Sequence, residues 1–293
     1  MKIIDTTTFF EESMMMDIRF NILDPYIDKF IVCESRYTHS GKTKKINFNV
    51  DDYPKFKNKI IHLILEKEPD NLIKKQDLGA HEKRFNSIQR IKDQRNYIKR
   101  MLSEFSPEDY IIYSDNDEIP NLNSNQFNKS QKDIILFKQL FFYFKFNLLY
   151  DKMFWVGTKA CKKKKLKSLS WLRNIKLKKY PFWRLDTLFS ETKQVNLDII
   201  EDGGWHFTNL KTAEEMYEKF MNFGHHDEFR LSGLTVKKIR EKIKNKEMFY
   251  DHFADQSSTS KWRSDYKLKK YDLSLLPKHI VDNLSNYKEW IDN

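Results

Sequence analysis

Four short apolar runs limit what this chain can fold into: KII at 2–4, FIVCE at 30–34, IIHLIL at 60–65 and YIIYS at 110–114. Each places β-branched or aromatic residues at consecutive rather than alternating positions, the pattern of a strand covered on both faces. Between the runs the period changes. Met15, Ile18, Ile22 and Leu23 have helical spacing, and Phe85, Ile88, Ile91, Ile98, Met101 and Leu102 recur at intervals of three and four across 82–102. Strand, helix, strand in alternation predicts an α/β fold, a mostly parallel sheet flanked by helices. The segment IILFKQLFFYFKF at 134–146 predicts further sheet, aromatic on both faces. Helical spacing returns over 212–223, 235–246 and 277–290, with a loop GHHDEF at 224–229. Without an internal repeat or a linker-like segment, the expectation is one domain over 1–293: a core to about residue 230 and a helical C-terminal extension over about 231–293.

Composition narrows the class further. With 40% apolar and 15% aromatic residues but only seven Gly and seven Pro, the chain is globular rather than disordered. The formal charge of +11, from 53 basic and 42 acidic residues, favours an anionic partner without choosing among nucleic acid, a membrane surface and a phosphorylated small molecule. Cys33 and Cys161 form neither a zinc pattern nor a disulfide framework, so a reducing compartment is the simplest expectation. No apolar stretch of about 18 residues and no secretion-signal core is encoded, which predicts a soluble, cytoplasmic protein, with peripheral membrane contact left open.

The run YIIYS stops at Ser114, and Asp115, Asp117, Glu118 and Pro120 follow at once. Open parallel sheets bind ligands beyond the carboxyl ends of their strands. Two carboxylates two residues apart at such an end can hold Mg²⁺ or Mn²⁺, cations that a diphosphate also ligates. The plain alternative is an acidic turn capping a strand.

Six stretches, taken in order, resemble glycosyltransferase family 17, the family of β-1,4-mannosyl-glycoprotein 4-β-N-acetylglucosaminyltransferase. They are FFEESMMMDIR at 9–19, DKFIVCESRYTHSGK at 28–42, DQRN at 93–96, SDNDEIP at 114–120, WVGTKA at 155–160 and GWHF at 204–207. The resemblance implies a Rossmann-like fold of the GT-A type, a nucleotide-sugar donor such as UDP-N-acetylglucosamine, a divalent metal, Mn²⁺ or Mg²⁺, and inversion at the anomeric carbon. Eukaryotic members are membrane-anchored; their secretory location and protein-linked acceptor do not carry over, so the acceptor is left as a glycan or other sugar.

On this resemblance Asp115 and Asp117 are the D-x-D pair, with Asp117 the direct ligand and Asn116 between them where relatives have a small apolar residue. His206 is the third metal ligand, unless it is an ordinary structural histidine. Glu34 either contacts the donor nucleoside or pairs with Arg36 or a nearby lysine. Arg95 either orients Asp115 or touches phosphate, since a guanidinium presents a fork of donors. Lys159 approaches the diphosphate. Tyr143, Asn147 and Trp155 are core residues that also offer a sugar platform. Inversion needs a carboxylate to deprotonate the acceptor hydroxyl, and a metal-bound aspartate is on the wrong side for that. Glu228, then Asp227, in the HHDEF loop are the candidates, with Asp202 behind them. The competing class is a nucleic-acid-binding protein, since 159–185 holds eleven Lys or Arg and no acid, interleaved with Trp171, Tyr180 and Trp183. It leaves DNDEIP and GWHF without a role. A degenerate, sugar-binding homologue is the third reading.

Overall fold

The computed structural model describes residues 1–177, 183, 187, 189–193, 195–223, 226–254 and 259–292, without the side chains of 227, 259 and 260. Its first half is built from β1 (Ile3–Phe9), α1 (Ser13–Leu23), β2 (Lys29–Ser35), β3 (Ile60–Leu65), α2 (Ala80–Tyr97) and β4 (Tyr110–Tyr113). Then come β5 (Glu118–Pro120), α3 (Asn125–Lys129), β6 (Ile134–Phe137), β7 (Leu140–Tyr143), β8 (Leu148–Leu149), β9 (Lys159–Lys162) and α4 (Leu169–Asn174). The rest comprises β10 (Asp198–Ile200), β11 (Gly204–Thr208), α5 (Ala213–Asn222), α6 (His226–Leu231), α7 (Val236–Lys244), β12 (Lys269–Lys270) and α8 (Lys278–Asp282).

A seven-stranded sheet has the order β10-β6-β9-β4-β1-β2-β3. Strands β3, β2, β1 and β4 are mutually parallel, β10 is parallel to β6, and β9 runs antiparallel to both β4 and β6. Burial on both faces explains three of the four apolar runs; IIHLIL, expected to be covered on both faces, is the edge strand β3 and is half-buried up to Leu65. Phe30, Val32 and Ile112 pack with Met16, Phe20 and Ile280 on one side. Ile31, Cys33, Ile111 and Tyr113 pack with Ile98, Leu102 and Leu172 on the other. Each fully buried large side chain contributes about 1.5–3 kcal/mol relative to exposure. Strand β1 runs well beyond KII because Thr6, Thr7 and Thr8 are β-branched, and the buried Thr6 hydroxyl donates to the Ile112 carbonyl at 2.7 Å.

A second, five-stranded sheet, β12-β8-β7-β11-β5, was not foreseen. The aromatic run 134–146 is split between the two sheets: β6 belongs to the first and β7 to the second, with the turn at Lys138 and Gln139 pinned by Lys138 N–H to the Ile200 carbonyl at 2.9 Å and Gln139 N–H to the Trp155 carbonyl at 2.8 Å. The chain passes from the large sheet to the small one three times, at β4–β5, β6–β7 and β10–β11. The DNDE cluster is the first of these passages. It is a junction between sheets, not a free strand end.

The C-terminal segment also differs from a helical extension. Strand β12 pairs with β8, α8 packs its Ile280 into the main core, and Tyr287 is buried beside it. Asn147 ties the last turn down, accepting from Asp292 N–H at 2.8 Å and donating to its carbonyl at 2.8 Å. Of the loop expected over 224–229, residues 226–229 belong to helix α6 (His226–Leu231), and 224 and His225 lie outside the described residues. Among the described residues no helix is long and apolar enough to cross a membrane.

Candidate active site

The acidic turn is held from below by one buried arginine. Arg19, on α1, pairs with Asp5 at 2.5 Å and donates to Ser114 Oγ at 2.5 Å and to the Glu118 carbonyl at 2.6 Å. Both Arg19 and Asp5 are shut off from solvent. This explains why an arginine ends the apolar stretch MMMDIR: it saturates the polar groups that the passage between sheets leaves inside. Glu118 faces the other way, also fully buried, and accepts from Trp155 Nε1 at 2.5 Å, Arg173 Nη2 at 2.9 Å and the Asp115 N–H at 3.1 Å. Its carboxylate lies so close to Gly157 that a Cβ there would come within 1.9 Å of Oε1. The glycine of WVGTKA is therefore a steric requirement of Glu118.

Asp115 carries the positive partners. Arg173 Nη2 is 2.8 Å from one of its oxygens; Arg95 Nη2, at 3.5 Å, and the Tyr113 hydroxyl, at 3.3 Å, meet the other. Burial works to raise the Asp115 pKa, but Arg173 and then Arg95 outweigh it and hold the carboxyl well below its usual range. For Glu118 burial prevails over Arg173, and its pKa is raised. The DQRN stretch builds this arrangement residue by residue. Gln94 donates to the Cys33 carbonyl at 2.9 Å, Arg95 Nε to Tyr113 Oη at 2.9 Å, and Asn96 Oδ1 accepts from Ser170 N–H at 3.0 Å, which seats α4 and its Arg173. Lys159 Nζ donates to the Arg173 carbonyl.

Asp117 meets His206 on β11, whose Nε2 is 3.4 Å from Oδ1. Gly204 makes that register possible. Its φ of +107° belongs to glycine, and a Cβ would meet the Ile119 carbonyl at 2.2 Å. The His206 ring stacks on Phe141, centroids 4.6 Å apart and planes nearly parallel, with Trp155 tilted against it at 4.7 Å. His206 Nδ1 is buried and has no hydrogen-bond partner among the described residues, an arrangement that costs about 1–3 kcal/mol and singles out the ring. On the same aromatic floor His252 Nε2 lies 2.6 Å from Tyr143 Oη. Burial, then the nearby His206, lower the His252 pKa to about 4, so the ring is neutral.

Several of these groups line one cleft of about 920 Å³, with Arg19 and Arg173 behind its wall. Arg95, Asp115, Asn116, Asp117 and His206 all reach it. Asn116, the departure from a small apolar residue, donates to Glu12 Oε2 at 2.9 Å, and Glu12 in turn pairs with Lys219 at 3.3 Å. Other expectations fall elsewhere. Glu34 is fully buried, ion-paired with Lys44 and accepting from Asn47 N–H and Phe48 N–H at 2.9 Å each, so it shapes the 44–48 loop and is not among the cleft-lining residues. Lys159 is also outside the cleft wall and acts through Arg173; burial, then Arg173, lower its pKa to about 7. Glu228 lies between Arg84, 3.1 Å away, and Lys261, 2.5 Å away, as an ion-pair anchor behind the wall that those two residues line. The side chain of Asp227 lies outside the described residues. Asp202 accepts from Asn121 at 2.9 Å and lines a different, smaller pocket. Asn147 serves the C-terminus rather than a sugar platform, whereas Tyr143 and Trp155 line the cleft.

The basic stretch is largely tied down where it is described: Lys162 and Lys164 pair with Glu108 at 3.1 and 2.6 Å, and Lys167 with Glu191 at 2.8 Å. Tyr180 lies outside the described residues. Arg173 was hidden in that stretch, and nothing in its immediate sequence separates it from the surface lysines. Glu12, Arg19, Asp251 and His252 were likewise not singled out; for the first two, FFEESMMMDIR was the available signal.

Chemically, the cleft offers a carboxylate–imidazole pair, a second carboxylate neutralised by two guanidinium groups, and an aromatic floor. Compared with known proteins, residues 1–291 match the profile of glycosyltransferase family 17. No curated protein matches the chain.

Proposed function

The chain belongs to glycosyltransferase family 17, and on that premise we propose that it transfers N-acetylglucosamine from UDP-N-acetylglucosamine to a sugar hydroxyl, with inversion and with a divalent cation. The observation that carries this reading is the meeting of Asp117 and His206 beside the arginine-flanked Asp115 in a single cleft. The donor set fits a cation. A hard carboxylate oxygen with an imidazole nitrogen suits Mn²⁺ better than Mg²⁺, which prefers oxygen alone. Asp117 and His206 would hold the ion, with Asp115 beside them. When bound, it would supply positive charge to the departing diphosphate.

The protein's own groups do the rest. Arg95 on the cleft wall, with Arg173 behind Asp115, gives fixed positive charge beside the place a diphosphate would take, and preorganised charge of this kind is the largest single contribution in many enzymes. Trp155, Phe141 and Tyr143 wall the site with apolar surface, which keeps water from competing for those charges. The seven-stranded sheet with one reversed strand supports a GT-A reading of the fold, and one domain over 1–293 is consistent with the C-terminus being built into the core. Calorimetric titration with UDP tests the proposal: binding in Mn²⁺ should be at least about tenfold tighter than in EDTA. Equal affinity in the two buffers would remove the metal from the account.

A further inference from the structure

The site still needs a proton acceptor, and the cleft narrows the choice. Five carboxylates line it: Glu12, Asp115, Asp117, Glu118 and Asp251. Glu12 is paired with Lys219, Asp115 and Glu118 with Arg173, and Asp117 faces His206. Asp251 has no cationic partner among the described residues and, unlike Asp117, is not committed to the cation; it accepts a single hydrogen bond, from Phe253 N–H at 2.9 Å, on Oδ1. Its backbone is fixed by Asp251 N–H to the Lys261 carbonyl at 2.6 Å. The next residue, His252, is tied to Tyr143 and lies against Phe141, centroids 5.2 Å apart, the ring that also carries His206. Asp251 thus lines the same cleft from a different chain segment than the acidic turn, next in sequence to a residue of the aromatic floor.

We propose that Asp251 is the catalytic base of the transfer, an inference that rests on the reading of the cleft as a nucleotide-sugar site. The acceptor oxygen uses an electron pair to bond the anomeric carbon. The bond from that carbon to the β-phosphate oxygen breaks, and its electrons leave with UDP. The acceptor proton passes to the Asp251 carboxylate. Glu228 is excluded from this role by its two cations and its place behind the wall.

The test uses water as acceptor and UDP release from UDP-N-acetylglucosamine in Mn²⁺ as the signal. Asp251→Asn keeps the hydrogen bond from Phe253 and should lower the turnover number by about 10²–10⁴-fold, with UDP affinity by calorimetry unchanged. Azide needs no deprotonation, so added azide should restore UDP release to Asp251→Ala and yield the glycosyl azide. Near-normal turnover in Asp251→Asn overturns the assignment, as does loss of UDP affinity, which would make Asp251 a binding group. Glu228→Gln should keep turnover; a loss of 10²-fold or more there with Asp251→Asn unaffected moves the base to Glu228. Wild type that binds no UDP overturns the parent reading, and is distinguished by being seen before any substitution.

Discussion

At the scale of single residues, the site is a set of buried charges whose neutralisation is already arranged. Arg19 is the extreme case: removing it as Arg19→Met leaves Asp5 buried without its cation and takes from the Glu118 carbonyl its 2.6 Å donor. Breaking one side of such a pair costs about 3–5 kcal/mol. Urea unfolding should register that loss, and a change under about 1 kcal/mol would mean the turn is held by something else. Glu12 gives a pH-dependent case. Although burial raises its pKa, Lys219, Lys211 and Asn116 outweigh burial and lower it from 4.5 to about 2. Because the folded-state value is the lower one, the stabilisation is complete above about pH 4.5 and is lost as the pH falls toward 2. Glu12→Gln should therefore be less stable than wild type at pH 6 by up to about 3 kcal/mol, with the gap closing below pH 4. A gap that stays constant with pH would show that charge is not the cause. For Asp117→Ala and His206→Ala, each should weaken Mn²⁺-dependent UDP binding at least about tenfold, and the double variant should add little, since both act through one ion. Full additivity would return His206 to a structural role.

At the scale of elements, function sits where strands pass between sheets. The passage from β10 to β11 needs Gly204, whose backbone no L side chain adopts without strain. Gly204→Ala should cost about 2–3 kcal/mol and, by displacing His206, also weaken Mn²⁺-dependent UDP binding. Stability near wild type with normal UDP binding would contradict that chain of cause. This scale also divides what was legible in the sequence from what was not. The parallel strands could be read because two-sided burial writes itself as consecutive apolar residues. That Asp117 and His206 meet in one cleft could be anticipated through short motifs. The second sheet could not, because the switch from β6 to β7 is fixed by backbone contacts to Trp155 and Ile200, far away in sequence. Arg173 was invisible for a related reason: what distinguishes it from its basic neighbours is Asn96 seating its helix and Asp115 and Glu118 facing it. The ion pairs of Glu228 were hidden on the same count, since local sequence does not reveal Arg84 and Lys261 on either side.

At the scale of the whole molecule, the C-terminal residues complete the fold rather than decorate it. Ile280 and Tyr287 enter the main core, and Phe146 N–H donates to the Trp290 carbonyl at 2.8 Å. A chain ended at Leu268 should lose cooperative unfolding in calorimetry, whereas a melting temperature like wild type would restore the picture of a separable extension. The central claim, however, concerns the cleft that both halves enclose. Its most direct measurement is the rate of UDP release from UDP-N-acetylglucosamine by wild type and Asp117→Ala, each in Mn²⁺ and in EDTA. The account predicts release by wild type in Mn²⁺ alone. Release that persists in EDTA, or in Asp117→Ala at the wild-type rate, would contradict it.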